Sequence, residues 1–141
     1  MGGPWIIYAL LSALFAALVA VFGKLGISKV DSTLATTVRA VVMALFLIFV
    51  AFAFGKARLL STISGKAFVF IIFSGIAGAL SWLFYFVALR HGPASGVAAL
   101  DRLSVVFVLI LALLFLGEHL TWKTGLGAFL VTVGAILMSL R

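Results

Sequence analysis

The chain has 141 residues, of which 66% are hydrophobic and only 9% charged, with a mean hydropathy of +1.42 and a formal net charge of +7. Too little polar sequence remains to coat a soluble domain, so a soluble globular protein is excluded. The ten Lys and Arg are scattered between apolar stretches rather than gathered in a stripe with aromatics, which marks a membrane protein and not a nucleic-acid binder.

A helix needs roughly 20 apolar residues to cross a hydrocarbon core of about 30 Å, and five stretches of this chain meet that length. The first is expected over about 4–23, with Pro4 at the first helical position, where a missing N–H costs nothing. The second follows Asp31 and Ser32, both plausible N-caps, and spans about 32–54; Thr33, Thr36 and Thr37 make its first turns polar. The third is expected over about 66–89 and the fourth over about 93–116. The fifth spans about 121–140 and opens on Thr121, a further N-cap candidate. Glu118 is expected to support the positive end of that helix.

Breaker and cap residues fill the connections: Gly23-Lys24, Gly55-Lys56, Arg90-His91-Gly92-Pro93 and Gly117-Glu118. No stretch has the polar face that a helix of a soluble bundle requires, and none alternates every second residue as a membrane β-strand would. The expected fold class is therefore all-α, a polytopic membrane protein with five transmembrane helices forming a single domain over residues 1–141. An odd number of spans places the two ends on opposite sides of the bilayer. The opening Met1-Gly2-Gly3-Pro4 carries no cation and the following apolar run is long, so neither a removable signal peptide nor a myristoyl anchor is expected. Without cysteine there are no disulfides or thiolate metal sites. His91 and His119 fall at helix ends, where an interfacial polar role is commoner than metal ligation.

Charge by side is more informative than net charge. Lys56, Arg58, Lys66 and Lys123 fall on the side of the N-terminus; Lys24, Lys29, Arg90 and Arg141 fall on the other. Topology follows the Lys/Arg asymmetry of short loops, and four against four gives no preference, which Arg39 and Arg102 tilt only slightly. A chain without a preferred orientation can insert both ways, and two opposed copies can pair as an antiparallel homodimer. The alternative is a single orientation set by other signals.

Several segments carry a resemblance. Ser81-Trp82-Leu83-Phe84-Tyr85-Phe86-Val87-Ala88-Leu89-Arg90, Pro93-Ala94-Ser95-Gly96-Val97-Ala98-Ala99-Leu100 and Leu114-Phe115-Leu116-Gly117-Glu118-His119-Leu120-Thr121 resemble the third helix, the fourth-helix start and the Leu-Gly-Glu-x-Leu-Thr junction of the EamA family of the drug/metabolite transporter superfamily. Gly127-Ala128 and Gly134 fit its fifth helix. Trp5, Ala16-Ala17, Lys24-Leu25-Gly26 and Arg39 agree more loosely. The resemblance covers one five-helix repeat, of the single-repeat bacterial and archaeal type, whereas many members carry two inverted repeats. It implies that this unit is one half of an inverted-repeat transporter whose second half is another copy. One departure stands out: Leu103-Ser104-Val105-Val106 occupies the place of the family's Leu-x-Pro-Val, preceded by Asp101-Arg102 where uncharged residues are usual. Without the proline, the resemblance gives no reason to expect a helix break there.

Charged groups inside a span are functional candidates by default. Asp101 falls about eight residues into the fourth helix, roughly 12 Å along it. Arg39 enters the second helix from the same side to a comparable depth, so an Asp101–Arg39 pair is expected, with Arg102 left to snorkel or meet an anion. The competing role is a buried pair that fixes helix register. Asp101 is a candidate proton- or cation-binding carboxylate; Arg39 and Arg102 are candidate binders of a substrate carboxylate or phosphate. Trp82 and Tyr85 share a face of the third helix and are candidates to stack on a substrate, with ordinary packing as the alternative. Trp5, Tyr8 and Trp122 fall at span ends as belt anchors. Gly75 and Gly78 on the third helix, and Gly127 and Gly134 on the fifth, let helices approach closely and are candidate sliding or dimer surfaces, with helix packing alone as the alternative.

No nucleotide loop, nucleophile–base pair or metal cluster is present in the sequence, so no catalytic residue, cofactor or metal is expected. The expected function is transport of small metabolites or drug-like solutes across the cell (inner, cytoplasmic) membrane by alternating access, with proton coupling a further expectation. The partners expected are a small-molecule substrate, the lipid bilayer and a second antiparallel copy, and no nucleic acid. The alternatives are a non-transporting membrane subunit, a passive channel or facilitator, and a lipid-linked-sugar flippase.

Overall fold

A computed structural model of the protein describes residues 3–140. Met1, Gly2 and Arg141 lie outside the described residues, and with them the opening Met1-Gly2 pair and one of the four cations counted above on the second side. Among the described residues the structure is helical, with no strand. Helix α1 is Pro4–Gly26 and α2 is Ser32–Ala53; a 3₁₀ stretch, Lys56–Thr62, leads to α3, Gly65–His91. Then come α4, Ala94–Asp101, and α5, Ser104–Leu111, continued by a π-helical stretch, Ala112–Leu116, and finally α6, Trp122–Ser139. Five stretches are long and apolar enough to cross a bilayer: α1, α2, α3, the run Ala94–Leu116, and α6. The protein is an all-α, multi-pass membrane protein.

Local chemistry sets the helix ends. Asp31 caps α2: its Oδ1 accepts from the backbone N–H groups of Thr33 (2.9 Å) and Leu34 (3.1 Å). Gly55 stops α2 at φ +66°, a conformation that costs glycine nothing, with its N–H on the Phe52 carbonyl. Thr121 caps α6 in a reciprocal box with Thr124, each hydroxyl accepting from the other's backbone N–H. The cap of α6 is thus Thr121 and not Glu118, whose backbone N–H instead closes the preceding helix on the Ala112 carbonyl (3.2 Å). Inside the spans, three threonine hydroxyls bond to the main chain of their own helix. Thr36 donates to the Ser32 carbonyl, Thr37 to that of Thr33 and Thr132 to that of Ala128, all at 2.8–2.9 Å.

The fourth span is interrupted despite its lack of proline. The N–H groups of Arg102, Leu103, Val105 and Val106 reach back three residues, to Ala99, Leu100, Arg102 and Leu103, at 2.9–3.1 Å. This 3₁₀ tightening separates α4 from α5 at Asp101-Arg102-Leu103. The same span then loosens into the π-helical Ala112–Leu116, ended by Gly117 at φ +66°.

The chain forms two units by its internal contacts: Leu25–Arg90, and the described residues up to Lys24 together with those from His91 onward. In the second of these, α4 packs on α6 through small residues. Gly96 and Ala99 are buried on α4, Ala135 on α6. A Cβ at Gly96 would stand 3.6 Å from the Met138 carbonyl oxygen and 3.7 Å from the Ser139 Cα, so the absence of a side chain permits the approach. The expected packing glycines behave otherwise. At Gly75, Gly78, Gly127 and Gly134 an added Cβ would meet nothing within 4 Å, so none marks a close approach within the chain. In the same unit, Lys24 Nζ donates to the Gly92 carbonyl (2.8 Å), tying the end of α1 to the turn before α4.

Candidate functional site

Within Leu25–Arg90, α2 and α3 are joined by two rungs. At the rim, Arg90 Nη1 lies 3.5 Å from Asp31 Oδ2, an exposed pair in which the carboxylate that caps α2 also meets the last turn of α3. Deeper, the Arg39 guanidinium carbon stands 3.5 Å over the centroid of the Trp82 ring and 5.5 Å from that of Phe86. Both partners of the deeper rung lie eight residues inside the rim pair along their helices, roughly 12 Å at the rise of an α-helix.

The platform under Arg39 is built by helical spacing. Trp82, Tyr85 and Phe86 fall at i, i+3 and i+4 on α3, and their rings touch. Trp82 meets Tyr85 edge-on (5.5 Å, 73°), and Phe86 is tilted against Trp82 (6.0 Å) and Tyr85 (6.3 Å). Phe86 is buried and anchors the cluster. A cation over an indole face is held by the ring quadrupole, and a guanidinium does this while its in-plane N–H donors remain directed outward.

Along this rung a cleft of about 740 Å³ opens between α2 and α3. Thr33, Thr36, Thr37 and Arg39 form its polar end; Met43, Leu47, Ile76 and Leu83, with Gly75 and Gly78, line an apolar remainder. Cavities of small-molecule sites fall in this size range and combine apolar walls with a few placed polar groups.

Within residues 25–90 the partner of Arg39 is the Trp82 ring. Residues 25–90 contain one carboxylate, Asp31, and it serves Arg90. Asp101 and Arg102 are exposed and occupy the 3₁₀ seam between α4 and α5. Of the sequence-derived candidates, the structure brings together Arg39, Trp82 and Tyr85, with Gly75 and Gly78 on the adjoining cleft wall. Phe86 escaped the sequence argument, although its position four residues after Trp82 carried the signal. Among the described residues no group of three or more His, Asp or Glu is placed to hold a metal ion.

The EamA-like transporter family matches this chain over residues 3–140. A protein of Sinorhizobium sp named as an uncharacterized transporter in the cobO 3′ region is 43% identical over 139 residues, covering 99% of either chain. No solved structure matches. A membrane transporter acts on a small-molecule substrate within a lipid bilayer, and the five apolar helices, the cleft and these similarities agree on that identity. The chain belongs to the EamA-like transporter family.

Proposed function

We propose that the protein is an alternating-access transporter of small metabolites or drug-like solutes, working as an antiparallel homodimer in the cytoplasmic membrane. The observation that carries this reading is the cleft between α2 and α3, of small-molecule size, open, and lined by Arg39 stacked on Trp82. A cleft formed by two helices of one five-helix unit needs an opposing wall. The balanced Lys/Arg count supports a second, inverted copy as its source.

In this reading Arg39, Trp82 and Tyr85 contact the solute. Gly75, Gly78, Gly127 and Gly134, open within the chain, are surfaces on which the opposed copies approach and slide. Asp101 is the coupling carboxylate, with Arg102 beside it to hold an anion. Their seam supports a moving part, because a 3₁₀ stretch inside a longer helix is a natural hinge.

The test uses the absence of cysteine. Gly2→Cys and Ser139→Cys variants are labelled separately with a membrane-impermeant thiol reagent, in intact and in permeabilised cells. Labelling of about half of each variant from outside is expected of two coexisting orientations. Labelling of one terminus alone refutes the antiparallel homodimer. In proteoliposomes, gradient-driven and saturable flux separates this transporter from a passive facilitator, and Asp101→Asn is expected to abolish its dependence on a pH gradient.

A further inference from the structure

We infer that the α2–α3 cleft takes an amphipathic organic monoanion: one carboxylate or phosphate group on an apolar body. This rests on the transport reading above and names the chemical class of its substrate.

The argument starts from Arg39. Its guanidinium is covered on one face by Trp82, and within residues 25–90 its N–H groups have no carboxylate or carbonyl partner. A stacked guanidinium has one remaining mode of recognition, the in-plane edge, where paired N–H donors match the two oxygens of a carboxylate or phosphate. The position argues for a mobile solute. Arg39 lies roughly 12 Å inside the Asp31–Arg90 rim, where a fixed cation lacks the water that would solvate it. It also lies across the indole rather than extended toward the rim, so it does not escape to the interface as a snorkelling side chain does.

The rest of the cleft limits the charge and shape of the guest. Thr36 and Thr37 direct their hydroxyl hydrogens to main-chain carbonyls, so they offer lone pairs and no donors to an anion. Arg39 is therefore the single cation of the lining and matches a single negative charge. The opposite end, around Met43, Leu47 and Ile76, is apolar and suits a hydrocarbon or aromatic body. A cationic solute meets repulsion at the polar end, and a neutral one leaves the guanidinium uncompensated.

The same chemistry could come from a free solute or from a lipid headgroup phosphate; the depth of the rung favours the solute, and the experiment separates them. In a Trp5→Phe/Trp122→Phe background Trp82 is the sole indole, because the chain has three tryptophans. Its emission is titrated in the purified full chain in dodecyl maltoside with phenylbutyrate, phenylbutyramide and phenylbutylamine. Phenylbutyrate is expected to give a saturable change at a Kd at least about tenfold below that of the amide, the scale of one charge-assisted hydrogen-bonded contact, and the amine none. Arg39→Gln is expected to erase the preference for the anion, and Arg39→Lys, which keeps the charge and loses the fork, to restore part of it.

Equal or tighter binding of the amine, or an anion preference unchanged in Arg39→Gln, overturns the inference. So does an Arg39-dependent response to dioleoylphosphatidic acid without one to phenylbutyrate, which assigns the site to lipid. If Arg39→Gln does not fold, as judged by far-UV circular dichroism and gel filtration, the ranking of the three probes still decides. Flux of the same probes in proteoliposomes keeps the two readings apart. Anion-selective binding without flux refutes transport and leaves the site standing, whereas flux without anion preference does the reverse.

Discussion

Replacing Gly96 is the most direct test of how the α4–α6 contact is made. A methyl group at this position would stand 3.3 Å from the Pro93 Cγ, 3.6 Å from the Met138 carbonyl oxygen and 3.7 Å from the Ser139 Cα. The last two are ordinary contacts, and the first requires the pyrrolidine ring to move by a few tenths of an ångström. Alanine also gains about 0.5–1 kcal/mol over glycine inside a helix, so Gly96→Ala is expected to be near neutral. Leucine is different. Its γ and δ carbons have no space against the main chain of α6, and overpacking of this kind costs about 1–3 kcal/mol. The control is Gly125→Ala on α6, where an added Cβ meets only the Leu120 Cδ2 at an ordinary 3.9 Å, so the helix-propensity gain appears undiminished. Stability is read from the loss of far-UV circular dichroism as dodecyl sulfate replaces dodecyl maltoside. The order expected is Gly125→Ala at or above the parent, Gly96→Ala close to it, and Gly96→Leu clearly below. A Gly96→Leu variant as stable as the parent would refute the close approach.

Two further predictions concern helix ends. Thr121→Ala removes the hydroxyl that accepts from the Thr124 N–H, leaves the Thr121 N–H on the Thr124 hydroxyl, and is expected to cost about 1 kcal/mol in the same assay, with Thr121→Ser retaining most of the stability. Gly117→Ala places a side chain at φ +66° with nothing nearby to clash, so the cost is conformational, about 1–2 kcal/mol; a loss smaller than that of Thr121→Ala would argue against the left-handed stop after the π-helical stretch.

The spans were legible because bilayer crossing depends on the summed hydropathy of about 20 residues, a quantity that single substitutions barely disturb. The caps at Asp31 and Thr121 were legible because capping is chemistry between residues two or three apart. The depth of Arg39 in its span was legible, but the ring it stacks on was not. Charge pairing suggested Asp101, whereas a tryptophan face holds the guanidinium, and which residue of a neighbouring helix comes opposite is a tertiary fact. Which glycine meets a neighbouring helix within the chain was hidden for a related reason. In a soluble helix the polar face shows which side is buried, but these helices are apolar all round, so Gly75, Gly78, Gly127 and Gly134 looked no different from Gly96.

The seam in the fourth span connects these levels and supports a last prediction. A proline at Val105 restores the residue type that the family resemblance places after Leu103-Ser104, and in an ordinary helix interior it would cost about 3 kcal/mol. Here the Val105 N–H bonds to the Arg102 carbonyl three residues back (3.0 Å) rather than to that of Asp101. The pyrrolidine ring therefore meets a carbonyl already turned away, and what is lost is one hydrogen bond, about 0.5–1.5 kcal/mol. Proline at Val108, inside α5, removes a regular helical bond and adds the ring clash. Both substitutions restrict the preceding residue equally, so that cost cancels in the comparison. Val105→Pro is thus expected to retain about 1.5–2.5 kcal/mol more stability than Val108→Pro in the dodecyl sulfate assay. Equal destabilisation at the two sites would mean that α4 and α5 behave as one regular helix, and the hinge assigned to Asp101-Arg102-Leu103 would lose its physical basis.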